Sequence, residues 1–173
     1  MKSIKALVDQ TLTWGQPKAM KSDYELRFGP DLVATVRFPK MLSSNAVAES
    51  GDGSWLLERT GVFNIKTTIR RRGSESLLAS YTAKAFKSRG LIQIEGGKTL
   101  VVRNDIWNST HELTTEDGES LIELKSRGFF KHFVDVKMNR RSLQFEELPS
   151  LVMFLFYIIL LGRRDAAMHS ATH

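Results

Sequence analysis

The stretch Leu148-Pro149-Ser150-Leu151-Val152-Met153-Phe154-Leu155-Phe156-Tyr157-Ile158-Ile159-Leu160-Leu161 decides the fold. Glu146 and Glu147 lead into it, and Gly162-Arg163-Arg164-Asp165 closes it. Wound as a helix it is apolar on every face, and such a helix has to be surrounded by something. From Leu148 to Leu161 the helix would be about 21 Å long at ~1.5 Å per residue. A bilayer core is about 30 Å thick and takes ~20 apolar residues, whereas runs of about 10–14 are more often core helices. The charged flanks prevent the run from being lengthened. Length therefore favours a helix buried in protein. A tail anchor using residues 148–161 as a membrane span is the alternative reading.

The chain before this run alternates in short segments. Tyr24 to Phe28 and Leu32 to Phe38 flank Gly29-Pro30-Asp31, and Trp55 to Arg59 follows Gly51-Asp52-Gly53. In Phe63 to Arg70, residues Phe63, Ile65, Thr67 and Ile69 share one face, and Asn64, Lys66, Thr68 and Arg70 share the other. That is the period-2 signature of a half-buried strand. Further segments of the same kind run over 77–86, 91–95, 99–103, 110–114, 120–125, 129–138 and 143–147. Gly96-Gly97 and Asp117-Gly118 suit tight hairpins because they tolerate positive φ. Ile4, Leu7, Val8 and Leu12 share a helix face, although a first strand reaching Trp14 fits equally well. About eleven or twelve strands at ~8–12 residue spacing indicate an antiparallel sandwich or barrel.

A closed antiparallel barrel around a central helix satisfies both halves of the pattern. Antiparallel strands need one covered face, and the helix needs a sheath. A strand of ~6 residues spans about 20 Å, which matches the helix. Pro149 fits the first helical turn, where a missing N–H costs nothing. Glu146 and Glu147 suit the positive helix end, and Arg163 and Arg164 the negative end. The expected organisation is a single domain over 1–173. An N-terminal segment occupies 1–22, barrel strands 23–147, the central helix 149–165 and a frayed tail 166–173.

Many short strands followed by a Leu-Pro-led apolar helix ending in Arg-Arg-Asp resemble the tubby C-terminal-like superfamily. That group includes tubby-like proteins, phospholipid scramblases and LURP-one-related proteins. The resemblance covers about residues 20–165 and also rests on Trp55-Leu56-Leu57-Glu58-Arg59-Thr60-Gly61-Val62-Phe63 and on Glu147-Leu148-Pro149-Ser150-Leu151. The chain looks most like small bacterial members of the group. The resemblance implies a twelve-stranded barrel threaded by its C-terminal helix. In tubby domains, basic strand and loop residues bind phosphoinositide headgroups, and Lys87-Ser88-Arg89 has two bases at the spacing such binding would use. Scramblases carry a cysteine cluster for acylation. This chain has no cysteine, so acyl anchoring is excluded. Glu116-Asp117-Gly118-Glu119 reads as a hairpin turn and not as a calcium loop.

Composition narrows the function classes. Hydrophobic residues make up 42% and charged residues 25%, with a net charge of +6, which is ordinary for a globular protein. The charge is unevenly spread. Residues 59–103 hold ten Lys/Arg against Glu75 and Glu95, residues 104–124 hold six acids and no Lys or Arg, and residues 125–141 hold six bases against Asp135. A basic face toward an anionic surface would use the first block. Absent cysteine suits a reducing compartment, and the start Met1 to Asp9 has no long apolar core and makes a poor secretory signal. The expected setting is the cytoplasm, peripheral to a membrane.

Catalytic chemistry has no clear carrier. No nucleophile elbow, Walker loop or dinucleotide glycine fingerprint is present, and no cofactor or metal is expected. His132 alternates with Phe130 and Val134 and reads as a core histidine. His169 and His173 are four apart, a spacing that could ligate metal on a helix, but they lie in the expected tail. Aromatics interleave with bases at Phe86-Lys87 and at Phe129-Phe130-Lys131, but inward-facing strand aromatics account for them, so nucleic acid is not the expected partner. The expectation is a non-enzymatic binding module for anionic lipid headgroups or an acidic partner. Lys66, Arg70, Arg72, Lys87 and Arg89 are its candidate anion-binding residues. A small-molecule-binding barrel with a pocket beside the helix is the remaining alternative.

Overall fold

The computed structural model describes residues 1–18, 22–84, 88–128 and 133–172. Twelve strands form one closed antiparallel barrel: β1 (Thr11–Gly15), β2 (Asp23–Phe28), β3 (Asp31–Arg37), β4 (Ala46–Ser50), β5 (Gly53–Thr60), β6 (Lys66–Arg71), β7 (Leu77–Ala83), β8 (Arg89–Ile94), β9 (Thr99–Asp105), β10 (Thr110–Thr115), β11 (Ser120–Arg127) and β12 (Phe133–Met138). Each strand pairs with its sequence neighbours. β1 closes the ring on β12, with Leu12 opposite Val136 and Trp14 opposite Val134. Closure removes the exposed edges that an open sheet would leave.

Helix α1 (Leu148–Ser170) runs through the barrel. From Leu148 to Leu161 every residue except the part-buried Ile158 is buried. The alternating inward residues of the strands meet it: Leu12, Leu26, Leu57, Ile69, Ile92, Leu124 and Val136 are fully buried, as are Val152, Phe154, Leu155 and Tyr157. Trp14 stacks on Phe156 at 4.1 Å between ring centroids, and Tyr24 meets Phe156 edge-on at 5.5 Å. Each fully buried Leu, Ile, Val or Phe among these contributes ~1.5–3 kcal/mol. The helix side chains and the inward strand side chains form one buried core inside the barrel. Among the described residues no helix is long and apolar enough to cross a membrane.

The meander gives the barrel two unlike ends. Every even-to-odd connection is a short polar turn, and Gly96 and Gly97 make one of them by adopting φ of +96° and +99°. A 3₁₀ turn at Ile4–Leu7 covers this turn end and packs on the start of α1. It is pinned by Asp52, whose carboxylate accepts from the Ile4 N–H at 2.8 Å and from the Ser3 hydroxyl at 2.5 Å. The odd-to-even connections gather at the opposite end, where α1 emerges.

Several local expectations need correction. Residues 143–147 are not a strand. A 3₁₀ turn at Arg140–Gln144, capped by the Asn139 side chain on the Arg141 N–H, leads directly into α1. Ala46–Ser50 is a strand, and small Ala and Ser residues hid it. β6 begins at Lys66, so Phe63 and Ile65 do not face inward; Phe63 is 98% exposed. Residues 166–170 continue the helix. In β3 a register shift pairs Arg27 with Leu32 and leaves Val33 as an extra residue, so strict alternation fails there: Val33 is buried beside buried Ala34, and Leu32 is part-buried.

Candidate functional site at the helix-exit end

Where α1 leaves the barrel its sequence changes from Leu160-Leu161 to Gly162-Arg163-Arg164-Asp165, and each charged residue finds a partner on the rim. Asp165 takes the Arg59 guanidinium on two oxygens, at 3.0 and 2.9 Å, at the end of β5. Arg164 donates to the Ser43 carbonyl at 2.9 Å and lies 3.7 Å from the centre of the Phe38 ring, a cation–π contact. Two turns deeper, the Tyr157 hydroxyl donates to the Ser44 carbonyl at 2.6 Å. Arg163 donates to the Ser126 hydroxyl at 2.6 Å. The helix end therefore fixes the connection between β3 and β4 from behind.

Burial shapes the ionisation here. His111 on β10 is part-buried, and its Nδ1 lies 2.7 Å from the Asn104 side-chain oxygen. Burial, and then the nearby Arg163 charge, lower its pKa from 6.5 to about 4. The imidazole is therefore neutral at pH 7, with its proton assigned to Nδ1 because the carboxamide oxygen only accepts. Burial also lowers the Arg163 pKa, yet a guanidinium remains charged. The Tyr157 phenol is pushed up, chiefly by burial. The arrangement is cationic and fixed in place. It holds no nucleophile–base pair, and no group of three or more metal-ligating side chains occurs among the described residues.

The five candidate residues divide between the two ends. Lys66 opens β6 and Arg89 opens β8; both are exposed and lie at the helix-exit end. They are separated by β7, about 10 Å at ~4.8 Å per strand. Lys84, just past β7, joins them, its N–H donating to the Arg89 carbonyl at 3.1 Å. Arg70 and Arg72 lie toward the turn end. Arg70 is held between Glu58 and Glu75, both at 3.4 Å, and donates to the Ser74 carbonyl. Arg72 lies 3.7 Å from Glu49. Six residues of extended chain put Arg72 about 20 Å from Lys66. Lys87 lies outside the described residues, as does His132. Sequence reasoning missed Lys40 and Lys84, which are exposed on the same rim as Lys66. Their common position follows from the parity of the strands and becomes readable only once β4 is counted.

No family model matches the chain, and no curated protein does. A solved structure of a protein from Arabidopsis thaliana is similar in fold, with a TM-score of 0.60 at 15% identity, covering 89% of this chain and 94% of that one. At that identity the likeness establishes the barrel and nothing about its use.

Proposed function

We propose that this chain is a tubby-like barrel that works as a non-enzymatic binding module for the anionic lipid headgroups of a membrane surface. The observation that carries the reading is the set of exposed cations at the helix-exit end: Lys40, Lys66, Lys84 and Arg89. Acids engage Arg70 and Arg72 at the opposite end, which makes them poorer candidates for a ligand. Each base brought near an anionic membrane contributes ~1 kcal/mol, so four give a useful, salt-sensitive attachment with no deep pocket.

Vesicle sedimentation tests this. The protein should pellet with vesicles of phosphatidylcholine and phosphatidylserine at low salt. It should stay in solution with phosphatidylcholine alone, and high salt should release it. Lys66→Glu, Lys84→Glu and Arg89→Glu together should abolish pelleting, whereas Arg72→Glu should leave it nearly unchanged. Binding to an acidic protein without binding to anionic vesicles would overturn the membrane reading.

A further inference from the structure

The helix-exit end carries a second property that charge alone does not explain. Ten large apolar side chains are substantially exposed among the described residues, and only Met1 and Leu143 lie away from this end. The most exposed are loop tips: Leu42 at 100%, Phe63 at 98% and Trp107 at 97%. Each has an exposed apolar neighbour, Met41, Val62 or Ile106. Apolar clusters left in water on a folded protein generally mark an interaction surface.

Each tip is held in place by its own loop. Lys40 to Ser43 form a turn closed by the Ser43 N–H on the Lys40 carbonyl at 3.0 Å, and Arg164 and Tyr157 brace it from inside. Met41 and Leu42 are the two central residues of that turn and face water. Gly61 adopts φ +91°, and a Cβ there would collide with the Asn64 carbonyl, so the loop folds tightly and puts Val62 and Phe63 outside. Asp105 accepts from the N–H groups of Trp107 and Asn108 at 3.0 and 3.2 Å and from the Asn108 side chain at 2.6 Å. This Asx-type turn presents Ile106 and Trp107.

We propose that these three pairs form an apolar insertion set that enters the interfacial layer of a lipid bilayer. The inference rests on the membrane reading above and deepens it. Two features select lipid as the occupant. The tips are separate points along the rim: the β3–β4 and β5–β6 loops lie two strand spacings apart, about 10 Å, and the β9–β10 loop four further spacings around. A fluid interface receives separated protrusions without a matching surface. The exposed Lys40 and Lys66 adjoin the first two tips, and Lys84 and Arg89 share the same end, so the bases of this end suit an anionic headgroup layer, while Asp105 is the charge beside Trp107. Trp107, with an apolar ring body and an N–H, belongs to the residue type that favours that layer.

Trp107 supplies the readout, because Trp14 and Trp55, the other two tryptophans, are buried at 0% and 1% exposure. With phosphatidylcholine–phosphatidylserine vesicles the emission should shift to shorter wavelength, and brominated acyl chains should quench it. Trp107→Phe should remove that response while the protein still pellets. Leu42→Ser, Phe63→Ser and Trp107→Ser together should weaken vesicle affinity about tenfold or more. Salt-sensitive pelleting with unchanged emission and an unaffected triple variant overturns insertion and leaves the electrostatic reading standing. Salt-insensitive insertion into neutral vesicles does the reverse. Absence of pelleting with every composition overturns both, and self-association that buries Trp107 without lipid assigns the tips to a second copy of the chain.

Discussion

Arg59 and Asp165 face each other through two N–H to oxygen contacts, which fasten the emerging part of α1 to the end of β5. The pair is part-exposed, with side chains 23% and 44% accessible, so solvent and salt screen it. Asp165→Asn should lower unfolding stability by about 1 kcal/mol in low salt and by less in high salt. A double-mutant cycle with Arg59→Ala, read by urea unfolding, should show coupling of that size.

His111 gives the protein an acid-sensitive component. Its folded pKa is about 4, against an ordinary value of 6.5. Above 6.5 neither the folded nor the unfolded form binds the proton, and the contribution to stability is constant. Between 6.5 and 4 the unfolded chain takes a proton that the folded one refuses. Stability therefore falls as pH falls through that window, by at most about 3 kcal/mol. His111→Gln should flatten that part of the stability profile, measured as the urea midpoint against pH.

Removing the Tyr157 hydroxyl leaves the Ser44 carbonyl without this donor. Tyr157→Phe should cost about 1–2 kcal/mol. Protease susceptibility should rise at residues 39–45, because Tyr157 and Arg164 are what brace that loop.

Tyr81 lies across Gly90, which leaves no room for a Cβ at Gly90. Gly90→Ala must displace the ring and should cost about 1–3 kcal/mol. Burial holds the Tyr81 pKa above its usual 10. In the variant it should fall back toward that value, which ring NMR signals followed through alkaline titration would show.

Phe156 stacks on Trp14 and meets Tyr24 edge-on. Phe156→Ala should destabilise by about 3–5 kcal/mol and disturb the near-UV circular dichroism from Trp14.

Leu148 to Leu161 could be read from sequence because no face of it is polar, so no arrangement except enclosure suits it. Phe63 and Ile65 misled because period-2 alternation does not distinguish a strand from a tight loop. The deciding feature was Gly61, whose positive φ turns the chain away from β5. Ala46 to Ser50 went unread because Ala and Ser signal no face at all. The helix ran past Asp165 because Ala166, Ala167 and Met168 favour helix by propensity, whereas apolarity had marked its expected end. The five basic candidates came from one charge-rich block, but proximity in sequence along a strand means distance in space. Lys66 and Arg72 consequently lie toward opposite ends of the same strand.

The ring closes between residues far apart in the chain: Thr13 and Asp135, bonded at 2.9 Å, are 122 positions apart. The segment that fills the ring comes later still, after β12. During synthesis the inner faces of all twelve strands are therefore made before the side chains that cover them. The inner faces of the hairpins lack the helix they pack against until α1 follows β12, so assembly is expected to be late, cooperative and slow for a chain of this size. Until then the unfinished wall is exposed to chaperones and to aggregation, and truncation before Leu148 would leave the strands without the helix that fills their ring.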